Sequence, residues 1–204
     1  MDNEMIFVSG QRGSGKSYWI RHKTTELSRF LLFDTLSEYQ GCAPSFDDLT
    51  ELIEHCQKAG DGFLEALFDD PSEDPKETFP LFCEIGQEIG NLYVIVEEID
   101  IFATPYDVPE ELNRLIKYGR HRGVNLIAVS RRPAEVSRLI TSQATRFIIF
   151  RQFEPRDISY FRSIIGPYAD ALPSLGIHEF YDIDFSEGPI LERPKVQKLS
   201  GPHE

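Results

Sequence analysis

Gly10, Gln11, Arg12, Gly13, Ser14, Gly15, Lys16 and Ser17 follow one another in the order G-x-x-x-x-G-K-S. That order suits one task, holding a polyphosphate. Glycines let backbone N–H groups turn inward on an anion with no Cβ in the way. A helix that starts near the lysine aims its positive end at the same charge. Lys16 then reaches the β- and γ-phosphates, the Ser17 hydroxyl serves a magnesium ion, and Tyr18 closes the nucleotide-contacting run. An apolar run, Met5 to Val8, precedes the glycines and a helical pattern comes after them. That is the strand–loop–helix context the pattern requires.

A second run of chemistry lies further along. Val94, Ile95 and Val96 are apolar and lead directly into Glu97 and Glu98. Two acids at the end of a buried strand suit the other half of triphosphate hydrolysis. Glu97 helps to hold Mg²⁺ through water, and Glu98 polarises the attacking water. Glu97 stands where Asp is usual, and a water-mediated contact absorbs the extra methylene. Asp100 is a second candidate for the metal side. No Asn/Thr-Lys-x-Asp guanine-reading motif is present, which favours ATP. A nucleotide kinase is the rival enzyme, but it needs no catalytic acid after this strand, so Glu98 favours hydrolysis. An ATP-driven assembly switch acting on protein is the rival from another class.

The elements that must position these residues alternate. Strands are expected at Met5–Val8, Phe30–Phe33, 62–68, Leu92–Val96, Val124–Val129 and Arg146–Phe150. Helices are expected at about Ser17–Ser28, Phe46–Ala59, Thr78–Ile89, Pro109–His121, Ala134–Ile140 and Pro155–Gly166. Leu92–Val96, apolar throughout, reads as a central parallel strand covered on both faces. Beyond residue 167 the pattern predicts a short helix, an edge strand or hairpin arm over Glu179–Phe185, and a loose polar end. The alternation predicts an α/β fold, a mostly parallel central sheet flanked by helices, with the chemistry at the carboxyl ends of the strands. The length of 204 residues fits one domain, with its core over about 5–165 and an extension over about 167–204.

Composition narrows the class. Hydrophobic residues make up 41% of the chain, which is globular, and no apolar run approaches the roughly 20 residues of a membrane span. Cys42, Cys56 and Cys83 lack metal-site spacing and read as reduced thiols of a cytoplasmic protein. The formal net charge is −13, yet residues 112–162 carry eleven Lys/Arg against three Asp/Glu. Such asymmetry makes a local field suited either to a polyanion or to ion pairs between subunits.

Four stretches together resemble the HerA–FtsK superfamily of DNA-pumping ATPases, viral genome-packaging ATPases included. They are Gly10–Ser17; Leu32–Tyr39, a strand ending in Asp34 and followed by Glu38-Tyr39; Val94–Asp100; and Gly119-Arg120-His121-Arg122-Gly123 with Leu126–Pro133. The resemblance spans about residues 5–165 and implies a RecA/FtsK-like P-loop NTPase with ATP and Mg²⁺ as cofactors. It implies a motor subunit in a homo-oligomeric ring, a hexamer, around double-stranded DNA, working as a DNA translocase or packaging ATPase. A viral capsid or portal-type shell protein is the further partner implied, and the host cytoplasm or the virion the location. Arg131 occupies the position where the family commonly has a γ-phosphate-sensing Gln. Arg120 resembles the family's arginine finger, which enters a neighbour's site, with Arg122 and Arg146 as alternatives.

Overall fold

A computed structural model describes residues 4–185, 188 and 194–199. The apolar runs become strands β1 Met5–Ser9, β2 Arg29–Asp34, β3 Ser45–Phe46, β4 Leu64–Asp69, β5 Leu92–Val96, β6 Val124–Ser130, β7 Arg146–Phe150, β8 Glu179–Asp184 and β9 Val196–Lys198. They form one nine-stranded sheet in the order β3-β4-β2-β5-β6-β1-β7-β8-β9. Every pairing from β3 to β7 is parallel, and β8 and β9 join antiparallel. Parallel neighbours force the connections across a face of the sheet. Helices α1 Lys16–Thr24, α2 Leu49–Ala59, α3 Phe79–Ile89, α4 Ile99–Phe102, α5 Glu110–Tyr118, α6 Arg138–Thr141 and α7 Pro155–Ile165 lie in or after those connections.

Alternation along each strand divides the core in two. Phe7, Leu31, Phe33, Val94 and Val96 face one side, where α2, α3, α5 and α7 add Leu52, Phe82, Leu115 and Phe161. Ile6, Val8, Phe30, Leu32 and Ile95 face the other side, which Trp19 and Ile20 of α1 cover. Both faces of the central strands are therefore buried, as the unbroken apolar run of β5 requires. Phe33 packs against Phe68, Phe79, Phe82 and Phe102 with ring centroids 5.0 to 5.6 Å apart. This aromatic cluster pins the end of β2, so the next residue, Asp34, starts from a fixed point.

Most expected elements are present, with local differences. The stretch expected as one helix over Ala134–Ile140 is broken into a 3-10 turn, Pro133–Glu135, and α6. Ser137 breaks it: its backbone is extended, and its side chain accepts from Leu139 N as a new N-cap. The helix expected to run to about His121 gives way at Gly119 to a 3-10 turn, Gly119–Arg122. The polar end is in part ordered, since Val196–Lys198 pairs with Glu179–Tyr181 as β9, and β8 is a hairpin arm rather than an edge. The remaining residues of that end, 200–204, lie outside the described residues.

Candidate nucleotide site

β6 lies between β1 and β5, with Ser9 in register with Ser130 and Val96 with Ala128. The three strand ends therefore deliver Gly10, Arg131 and Glu97 to one edge of the sheet. The loop after β1 is built as a cradle. A Cβ on Gly10 would stand 2.5 Å from both Phe150 Cβ and Ser14 Oγ. Gly13 and Gly15 have φ of 72° and 116°, backbone that side chains rarely adopt. Gln11 N donates to Arg151 O, tying the loop to the segment after β7. His178 N donates to Ser14 O, tying it to the turn before β8. Tyr18 stacks on the His178 ring at 4.8 Å, so the structure adds a bracing contact to its expected role.

Lys16 is 5% exposed, and its Nζ lies 3.4 Å from Gln11 O. Burial lowers its pKa, and Glu97 opposes that most strongly. The Ser14 hydroxyl is buried without a hydrogen-bond partner. A buried cation and an orphaned hydroxyl in a glycine-lined loop fit a polyphosphate, which would satisfy both.

The two acids diverge. Glu98 has φ 53°, a left-handed turn that a non-glycine residue adopts only at some expense. Glu97 turns toward the β2 side, where Tyr39 Oη donates to its Oε2 at 2.7 Å. Glu98 turns toward the β6 side and pairs with Arg131. Burial raises the Glu97 pKa to about 7, against the Tyr39 hydrogen bond and Lys16. Burial also raises Glu98, with Arg131 the main opposing influence. Asp100 faces Ser130 and lies on the β6 side as well.

Ser17 Oγ donates to Glu38 Oε2 at 2.8 Å. Ser17 and Glu97 are hard oxygen donors, of the kind magnesium takes alongside phosphate oxygens and water, and Glu38 lies one hydrogen bond behind Ser17. Among the described residues no cluster of three or more His, Cys, Asp or Glu could hold a metal alone. These residues therefore suit an ion that arrives with its nucleotide.

Beside the P-loop a cleft of about 450 Å³ is lined by Gln11, Arg12, Arg131, Arg132, Gln152 and Phe153. A groove of about 600 Å³ between α2 and α3 is larger, but its lining is mainly apolar and distant from the glycine loop. The smaller cleft adjoins the glycine loop through Gln11 and Arg12 and is also lined by Glu154 and Asp157. Gln152 is 1% exposed and donates to Ser9 Oγ at 2.9 Å, directly under the cradle. The sequence reading missed Gln152, and assigned no roles to Glu38, Tyr39 and Asp34. The strand end at Asp34 and the Glu-Tyr pair after it are the signals the sequence holds for those three.

Arg120, Arg122 and Arg146, the finger candidates, lie at the opposite edge, where strands begin. Arg120 is exposed in the turn before β6, close to His121. Arg122 donates to Gln87 O and to Glu88. Arg146 opens β7 and is held by Asp182 at 2.6 Å and Glu4 at 3.4 Å, a structural engagement. None of the three reaches its own P-loop. Within the basic segment, Arg131 and Arg132 thus lie at the edge of the glycine loop and Arg120, Arg122 and Arg146 at the opposite edge.

No protein-family profile matches the chain. Protein P9 of Pseudoalteromonas phage PM2 is 30% identical over 149 residues, 70% of this chain and 66% of that protein, so the chain spans a little under two thirds of this relative. The genome packaging NTPase B204 from Sulfolobus turreted icosahedral virus 2, in complex with sulfate, matches over 100% of both chains with TM-score 0.78 and 18% identity. The same protein with ATP-gammaS gives 0.76 and 20% identity, over 96% of this chain and 97% of that one. The cytoplasmic domain of the Thermomonospora curvata type VII secretion ATPase EccC matches 98% of this chain but 26% of its own, with TM-score 0.61 and 18% identity. The chain has the α/β fold on which the genome packaging NTPase B204 is built, a mostly parallel central sheet flanked by helices.

Proposed function

We propose that the chain is an ATP-hydrolysing motor subunit that moves double-stranded DNA, as a viral genome-packaging ATPase does. The observation that carries this is the convergence of Lys16, Glu98 and Arg131 at three adjacent strand ends, with β6 between the phosphate loop and the acids. Lys16 and the loop amides hold the β- and γ-phosphates. Mg²⁺, when bound, neutralises phosphate charge and orients the triphosphate, with Ser17 and Glu97 as its protein side. Glu98 accepts a proton from the water that attacks the γ-phosphorus as the bond to the bridging oxygen breaks. Arg131 can exchange Glu98 for a phosphate oxygen, which frees the carboxylate for that proton. DNA as the moved polymer is supported by the packaging role that the names of the B204 structures state. A homo-oligomeric ring with Arg120 reaching a neighbour's site belongs to the same reading, since Arg120 is exposed and remote from its own loop. A capsid shell partner and a place in the host cytoplasm or virion belong to it too.

The test is ATP hydrolysis with and without double-stranded DNA. DNA should raise the rate, and Lys16→Ala and Glu98→Gln should each lower it by on the order of 10²-fold or more. A rate indifferent to DNA removes DNA from the reading, and phosphorylation of a nucleoside monophosphate replaces it with a kinase.

A further inference from the structure

The loop between β2 and α2 reaches both halves of the site. Asp34, fully buried at the end of β2, accepts from the backbone N–H groups of Leu36 at 3.3 Å, Glu38 at 3.1 Å and Tyr39 at 2.8 Å. Arg21 of α1 donates to Glu38 O and, at 3.0 Å, to Cys42 Sγ, and lies over the Tyr39 ring. Glu38 is thus held at its N–H by β2 and at its carbonyl by the P-loop helix. Its carboxylate accepts from Ser17 Oγ, while its neighbour Tyr39 donates to Glu97. The backbone of Glu38 is therefore fixed on both sides, and the hydrogen bond from Ser17 Oγ directs its exposed carboxylate toward the P-loop helix.

A hydroxyl has one proton and two lone pairs. For its oxygen to face a cation, its proton must go to an acceptor on the other side. Glu38 is such an acceptor, and it brings a negative charge to within one hydrogen bond of a group that serves the metal. Without a cation that charge repels a triphosphate, and with one it is matched.

We infer that Glu38 is a positioning residue of the metal half of the site. It takes the Ser17 hydroxyl proton, turns the lone pairs toward the cation, and makes nucleotide binding depend on the cation. This rests on the nucleotide-site reading above. The substitution Glu38→Gln separates charge from shape, because the amide oxygen can still accept from Ser17 while the charge is gone. Glu38→Asp keeps the charge.

The experiment is titration of a fluorescent ATP analogue into the full chain, in chelator and in excess Mg²⁺. The parent should bind far better with Mg²⁺. In Glu38→Gln the metal-free affinity should rise and the stimulation by Mg²⁺ should fall on the order of tenfold, the size of one screened charge contact. Glu38→Asp should keep most of the parent's metal dependence. A merely structural glutamate would lower both affinities together and leave their ratio alone. A parental ratio in Glu38→Gln overturns the inference and leaves the nucleotide site standing. No binding by the parent in either condition overturns the nucleotide site and this inference with it.

Discussion

Glu97 is 2% exposed, with the Tyr39 phenol on one oxygen and the Lys16 ammonium nearby, and burial still holds its pKa near 7. A carboxyl with a folded pKa above its unfolded one, here about 7 against 4.5, binds more protons when folded throughout that interval. Its contribution is fully present below the unfolded pKa and is lost as pH rises through the folded one. In metal-free, nucleotide-free protein, unfolding by urea should therefore show Glu97 eroding stability between about pH 4.5 and pH 7. Glu97→Gln should lack this component, so the stability gap between variant and parent should move in the variant's favour by roughly 3 kcal/mol from pH 4 to pH 8. A constant gap would show that Glu97 takes up its proton at the same pH folded and unfolded, and burial would then not raise it. The identity of this acid was legible in the sequence because it ends a short apolar run. The contacts of the site were not: Tyr39 is 58 positions from Glu97, Glu38 is 21 from Ser17, and Gln152 is 143 from Ser9. Side-chain contacts at that separation leave no periodic trace in one chain.

At the scale of elements, periodicity and chemistry pointed the same way where the pattern was long and unmixed. Leu92–Val96 and Arg146–Phe150 form strands with the expected bounds, since the apolar runs Leu92–Val96 and Phe147–Phe150 have no alternative to burial. Ala134–Ile140 failed because Ser137 prefers to cap a helix rather than continue one. β9 was illegible because its three residues are all exposed and gain their conformation only from pairing with β8. The glycine loop offers a test of how elements meet. At Gly15 a Cβ would lie 2.6 Å from His178 Cδ2 and 3.1 Å from His178 Cα, whereas at Gly13 it meets nothing within 4 Å. Gly13→Ala should carry only the left-handed backbone penalty of about 1–2 kcal/mol in chemical unfolding. Gly15→Ala must also push the segment before β8 away from the loop. It should be at least about 1 kcal/mol worse than Gly13→Ala and weaken nucleotide binding as well. Equal losses at the two positions would show that the loop and that segment are not in firm contact.

The whole sheet ends in very short strands. β3 has two residues and β9 three, and β9 is exposed throughout, with Lys195 before it and Lys198 within it. Short, charged borders offer little to pair with. Just inside β9 and β8 the situation reverses. β7 reads Arg-Phe-Ile-Ile-Phe, with four of its five residues buried. β8 occupies its outer row of backbone groups, and Asp182 of β8 engages Arg146. A chain ending at Ser174 would leave that row open on an apolar strand, the kind of template that stacks strand on strand. Such a truncation should appear in light scattering as concentration-dependent growth, with a rise in β-aggregate dye signal, before any loss of helical circular dichroism. A monodisperse truncated chain would refute this. The terminal hairpin is thus a guard against uncontrolled self-assembly, in a protein whose proposed work depends on assembling with copies of itself in one controlled way.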